Sequence, residues 1–200
     1  APPLPSCGAD PSHRGLPPYS LTIVQEGFSR PRPDGTLEAD GTITLVRGGP
    51  VTALVDTGGP WGRRRLLDGL ESIGVTPRDV THVLCTHGHS DHVGNINLFP
   101  SASILLAQGV PYAPHPGLVE VVATPGHVKA HVSVLVRGTD VGTVLVAGDL
   151  FECEGDEGGW AMGAADVIVP GPWGCVQVPE TPGVSSQHPK VSSDDPNGPK

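Results

Sequence analysis

The sequence predicts an α/β domain with sheets in the middle and helices outside. Short β-branched and apolar runs recur between turn signals, only two stretches carry a helical pattern, and 200 residues suffice for one hydrophobic core. The expected strands are Tyr19–Val24, Thr42–Val46, Val51–Val55, Val80–Cys85, Ser103–Leu106, Leu118–Ala123, Val132–Val136, Thr143–Ala147 and Asp166–Val169. The longer helical pattern, Pro60–Ile73, opens with proline at a first-turn position and stops at Gly74. A shorter one covers Val93–Phe99.

Composition sets the limits of the domain. The 28 glycines and 23 prolines crowd the turns and both ends. Residues 1–18 and 176–200 therefore read as flexible tails around a folded unit at 19–175. No apolar stretch approaches the roughly 18 residues of a membrane span, and the N-terminal segment has no basic region followed by an apolar one, so a soluble intracellular protein is expected. Cys7, Cys85, Cys153 and Cys175 are far apart and read as free thiols. The formal net charge of −9 has the opposite sign to that of proteins that grip phosphate backbones by counterion release. Nucleic acid would have to be held locally, through a metal or the cluster Arg63, Arg64, Arg65, which also reads as a solvated helix face.

The chemistry concentrates at strand ends, where a rigid strand fixes a side chain that the loop leaves open. Thr86-His87-Gly88-His89-Ser90-Asp91-His92 follows the strand Val80–Cys85. His87 and His89, two apart in extended chain, point the same way and can share one metal, while Asp91 and His92 enter the next turn and face a neighbouring position. Imidazole and carboxylate suit zinc, manganese or iron(II), and no cysteine lies close enough for a thiolate site. His127, after Thr124-Pro125-Gly126, and Asp149, after Ala147-Gly148, have the same placement and read as further ligands, the carboxylate suited to bridging two metals. Asp56 reads as turn-closing or as a support for a ligand. His131 reads as either a supporting partner or a strand-edge surface residue. Trp61 and Trp160 are candidates for lining a cleft, although core or surface packing is the commoner fate of a tryptophan.

In combination and in this order, strand-D-T-G, T-H-x-H-x-D-H, T-P-G-H and G-D, from about Tyr19 to Gly171, resemble the metallo-β-lactamase superfamily in its glyoxalase II-like branch. The resemblance implies an αββα sandwich and a metal-dependent hydrolase using a zinc-bound hydroxide. His87, His89 and His127 would bind one metal, Asp91 and His92 a second, and Asp149 would bridge them. Asp91 would orient the attacking oxygen. Finer details around Val55–Trp61 and Thr86–Gly94 resemble one animal group in that branch. That likeness implies a homodimeric, zinc-dependent endoribonuclease acting at the 3′ end of replication-dependent histone pre-mRNA, in cytosol and nucleus. The alternatives are a glyoxalase II-like thioester hydrolase and a metal-binding pseudoenzyme.

Two departures bear on the second metal. The family pattern P-G-H-G-P is here Pro170-Gly171-Pro172, so its histidine has no counterpart, and the interval from Asp149 to Asp166 is short. One tight and one weak metal site are therefore expected. His188, in the expected tail, makes a poor substitute because flexible positions hold metals badly.

Overall fold

The computed structural model describes residues 18–107, 111–151 and 165–172. All nine expected strands form, with ends displaced by at most three residues. They are β1 (Ser20–Gln25), β4 (Ile43–Gly48), β5 (Val51–Val55), β6 (His82–Cys85), β7 (Ser103–Leu106), β9 (Val119–Ala123), β10 (Val132–Thr139), β11 (Gly142–Gly148) and β12 (Val167–Pro170). Three more were not anticipated. β2 (Phe28–Pro31) and β3 (Leu37–Asp40) make a hairpin, and β8 (Tyr112–His115) is an edge strand. The hairpin had a legible signal in Pro33-Asp34-Gly35, a turn in which the Asp34 carboxylate accepts from the Thr36 amide at 3.0 Å. β8 carries Pro114, which is tolerated only where a strand has a free edge.

Two five-stranded sheets, β1-β4-β5-β6-β7 and β12-β11-β10-β9-β8, face each other. Between them lies a core of Tyr19, Val46, Val51, Ala53, Val55 and Leu84 from the first sheet and its approach, and Val119, Val121, Val132, Val134, Val136 and Val146 from the second. The period-2 alternation of the strands produces this face. On the outer side of the first sheet sits α1 (Arg63–Ser72), preceded by a 3₁₀ turn at Pro60–Gly62. Its Leu66 and Leu70, four apart, are fully buried against Ile43, Leu45, Leu54, Val83 and Cys85. Its opposite face carries the exposed pair Arg64–Asp68, also four apart, at 3.0 Å. Gly74 at φ 68 ends it. The result is the metallo-β-lactamase sandwich, with the helical layer over the first sheet formed among the described residues.

The helix expected over Val93–Phe99 does not form as one unit. Ser90–Val93 makes a single turn, α2, and Ile96–Leu98 a separate 3₁₀ turn. Asn95 between them is buried, and its side-chain amide donates to the carbonyls of Thr57 and Gly59, each at 2.8 Å. Those bonds anchor the segment to the loop after β5 instead of continuing a helical ladder. Cys85 is a buried free thiol, raised well above its usual pKa by burial and then by the Asp56 charge. The other three cysteines and both expected tails, apart from Pro18, lie outside the described residues.

Leu70→Ala tests the α1 contact. Alanine keeps the helix propensity, so the loss is one of packing, and unfolding stability should fall by about 2–5 kcal/mol. A urea midpoint equal to that of the unaltered chain would contradict the burial of Leu70 beneath this helix.

Candidate metal centre

Asp56 follows β5, the HGHSDH run follows β6, His127 follows β9 and Asp149 follows β11. These four strand ends do not all lie side by side. β5 and β6 are parallel neighbours in one sheet, but β9 and β11 flank β10 in the other. They converge where the two sheets meet. The Val132 amide donates to the Thr86 carbonyl at 2.9 Å, tying β10 to the end of β6. Gly148, at φ 60, lies so close that a Cβ on it would stand 2.7 Å from the Thr86 side chain. Both the backbone angle and the contact require glycine there.

Behind the histidines is a buried network with a fixed direction. Asp56 Oδ1 accepts from the Thr86 amide at 2.7 Å, and Oδ2 accepts from the Thr86 hydroxyl at 2.8 Å. Because that hydroxyl donates to Asp56, its lone pair faces His87 Nδ1 at 3.1 Å and accepts the ring proton. His87 Nε2 is left with a free lone pair. His92 Nδ1 is likewise 2.8 Å from Asp56 Oδ2, which turns His92 Nε2 toward Asp149. Asp56 thus sits in a left-handed turn at φ 61 and bonds to the Thr86 amide, the Thr86 hydroxyl and His92.

Two groups of donors result. His87 Nε2 and His127 Nε2 stand 2.9 and 3.1 Å from His89 Nδ1. Donors about 2.0–2.1 Å from a tetrahedral zinc would be separated by roughly 3.3 Å, close to this spacing. The second group is His87, His92 and Asp149. Asp149 reaches His92 Nε2 at 3.3 Å, His127 Nε2 at 3.7 Å and His87 Nε2 at 3.9 Å, so it stands between the groups. Asp91 lies at the margin, its Oδ2 3.9 Å from His92 Nε2. Buried His92 Nε2 and Asp149 Oδ1 face each other at 3.3 Å, outside good hydrogen-bond geometry, and neither has another partner. Orphaned buried polar atoms are rare in folded proteins, and here they point into a nest of ring nitrogens, so the donor set fits a divalent cation.

Electrostatics agree. Burial and then the neighbouring His92 charge push His87 down to about 2, so it is a neutral donor. Burial also opposes charge on His92, but the Asp56 and Asp149 carboxylates outweigh it and raise that ring to about 11. The proton on His92 must leave before Nε2 can serve as a ligand. Asp149 is held below its ordinary value, because His92 and its neighbours outweigh the opposing effect of burial.

His131 is a buried residue, which removes the surface reading. Ser133 Oγ donates to the Ala147 carbonyl at 3.0 Å, Thr124 Oγ1 is 2.8 Å from Ser133 Oγ, and His131 Nδ1 is 2.9 Å from Thr124 Oγ1. That chain runs from the strand carrying Asp149 to a ring packed 5.4 Å from His87. Burial pushes His131 down to about 4, so it too is neutral. Sequence reasoning gave no role to Thr86, Thr124 and Ser133; of these only Thr86 stands directly beside a histidine in the chain, which was the available signal.

Where the family histidine would stand, the Gly171 amide donates to the Gly148 carbonyl at 2.8 Å, and a Cβ on Gly171 would lie 2.4 Å from Asp149 Oδ1. The chain therefore passes directly beside Asp149, and the next residue, Pro172, offers no donor. Trp61 is 65% exposed and lines a cleft with Asp91, as one of the two sequence readings allowed. His188 and Trp160 lie outside the described residues.

Comparison with known proteins supports the family and the fold. The model of the metallo-beta-lactamase superfamily matches residues 38–111. Metallo-beta-lactamase domain-containing protein 1 of Xenopus laevis is 46% identical over 192 positions, covering 80% of this chain and 82% of its own. Those 192 positions exceed 80% of a 200-residue chain, so some residues of that relative have no counterpart here. Ribonuclease Z of Mycobacterium marinum is 31% identical over 124 residues, 61% of this chain and 39% of its own. A metallo-beta-lactamase structure from Thermotoga maritima superimposes with a TM-score of 0.55 at 22% identity, covering 64% of this chain and 77% of that one.

Asp56→Asn keeps the shape but has a single acceptor oxygen, so it cannot accept from the Thr86 amide, the Thr86 hydroxyl and His92 together. Zinc affinity, measured by chelator competition, should fall about 10- to 100-fold. Unchanged affinity would show that the network does not orient the donors.

Proposed function

The chain belongs to the metallo-β-lactamase superfamily of metal-dependent hydrolases, and from that premise we propose that it is a zinc-dependent endoribonuclease working at the His87, His89, Asp91, His92, His127 and Asp149 centre. The observation that carries this reading is the convergence of two donor groups that share His87, with Asp149 between them. RNA as substrate is supported by the similarity to ribonuclease Z and by the motif details that resemble the animal group. On the same resemblance the substrate is the 3′ end of histone pre-mRNA, and the protein a homodimer of cytosol and nucleus. Among the described residues no helix is long and apolar enough to cross a membrane.

When bound, the metal supplies an activated water and charge stabilisation at the atom under attack. The chain's own residues prepare for this. His89 is exposed and His127 partly so, which leaves the first group open to substrate, whereas His87 and His92 are sealed from behind. Asp91, partly exposed at the mouth, accepts a hydrogen bond from the attacking water and aims it. Asp56 and Thr86 fix the ring tautomers, so no donor must reorient during turnover. Mn2+ or Fe2+ would suit the same nitrogen and oxygen donors.

The second site is the weaker one, because Pro172 supplies no ligand and, besides His92 and Asp149, there remain only His87, which the first group shares, and Asp91 at the margin. Such an incomplete site also admits the reading of a metal-binding pseudoenzyme. A thioester hydrolase is the other alternative, favoured by the net charge of −9, since an acyl substrate needs no basic surface.

Two outcomes are expected. Asp91→Asn should lower turnover of a single-stranded RNA oligonucleotide by more than about 100-fold, above the usual loss of a supporting residue, with circular dichroism unchanged. Near-normal turnover would remove Asp91 from the role given to it, while hydrolysis of an acyl thioester and not of RNA would favour the other substrate class. Zinc titration should resolve one tight and one weak site per chain, and inserting His-Gly after Gly171 should tighten the weaker. Equal, tight binding of two ions by the unaltered chain would show that another residue fills the vacant place.

A further inference from the structure

Beside Asp91 opens a cleft of about 440 Å³ lined by Trp61 and Ser90 and by Arg32, Leu37, Glu38 and Ala39 of the β2–β3 hairpin. Trp61 is a large aromatic side chain left 65% exposed in a chain with only three tryptophans. It is nonetheless firmly seated. A Cβ on Gly59 would stand 2.7 Å from indole Cε2 and 2.8 Å from Cζ2, so the ring lies directly against the backbone at Gly59. That backbone is held in turn: the Gly59 amide donates to Asp40 Oδ1 at 2.7 Å, and its carbonyl accepts from Asn95 Nδ2 at 2.8 Å. Asp40 is itself fully buried and paired with Arg65 at 2.7 Å. An exposed aromatic ring on a fixed backing, beside the residue that aims the water, is more than surface packing requires.

Resting on the RNA reading, we propose that Trp61 is a stacking platform for one unpaired nucleobase, which brings a flanking phosphodiester over Asp91. Every nucleobase has a π-face, so stacking on an indole is sequence-tolerant and needs no basic surface. It thereby supplies affinity to an acidic protein that cannot draw RNA in by counterion release. Arg32 places a guanidinium in the same cleft, paired with Glu38 at 3.3 Å. An apolar acyl chain would gain nothing specific from a guanidinium at this position. Trp61 is a positioning residue and takes no part in bond cleavage.

The test uses the zinc-loaded full chain, a fluorescent single-stranded RNA oligonucleotide, and the same oligonucleotide with one abasic position near the cut. Trp61→Ala should raise KM by about 5- to 100-fold, the range of a single lost base stack, with a much smaller change in kcat, and Trp61→Phe should restore most of the loss. The abasic substrate should bind the unaltered protein as weakly as intact RNA binds Trp61→Ala, and combining the two changes should cost little more than either alone. RNA cleavage with a KM indifferent to Trp61→Ala overturns the platform and leaves the RNA reading standing. An unaltered protein that neither binds nor cleaves RNA overturns both. Equal losses for Trp61→Ala on RNA and on an acyl thioester would show a general wall of the cleft, which also overturns base stacking.

Discussion

The Asp56 carboxylate is the constraint on which the site depends. It is a buried acid in a left-handed turn, at φ 61, a conformation that costs a non-glycine residue of order 1–3 kcal/mol. What offsets the strain is the set of bonds that the turn makes possible, to the Thr86 amide, the Thr86 hydroxyl and His92. Those bonds decide which nitrogen of His87 and of His92 carries the proton. The same Thr86 receives β10 through its carbonyl and fills the space at Gly148, so one loop contact sets ring orientation and locks the two sheets together.

Charge is distributed around this anchor unevenly. His87 and His131 are buried and neutral, whereas His92 sits between two carboxylates and holds a proton strongly. His87, the donor common to both groups, therefore needs no proton release before a cation binds, whereas His92, found only in the second, does. Together with Pro172, which brings no ligand, this makes the two halves of the centre unequal for two independent reasons. The open side of the first group, at His89 and His127, is also the side from which substrate can arrive.

On the proposed RNA reading, an acidic chain with an aromatic platform beside Asp91 would have to hold its polyanion by contact. Long-range attraction would be weak or repulsive, so affinity would come from bound metal and one stacked ring. Selection would then act at short range, on the presence of an unpaired base near the bond to be cut.

The sequence by itself singled out the nine main strands, the longer helix and six candidate donors, because alternation, proline and glycine punctuation and a dense histidine motif are all local. Of those candidates the fold gathers His87, His89, His92, His127 and Asp149 into two groups and leaves Asp91 at the margin. The β2–β3 hairpin and β8 were not, since four-residue strands hold too few alternations to stand out, and the helix after the motif was overextended because Asn95 answers to carbonyls more than 30 residues away. Only the tertiary structure decided that the donors meet across two sheets, that His131 is buried, that Thr86 transmits the proton order of Asp56 to His87, and that Trp61 stands beside Asp91. Each of these depends on which strand lies against which, and side-chain pairing between distant segments leaves no period in the chain to read.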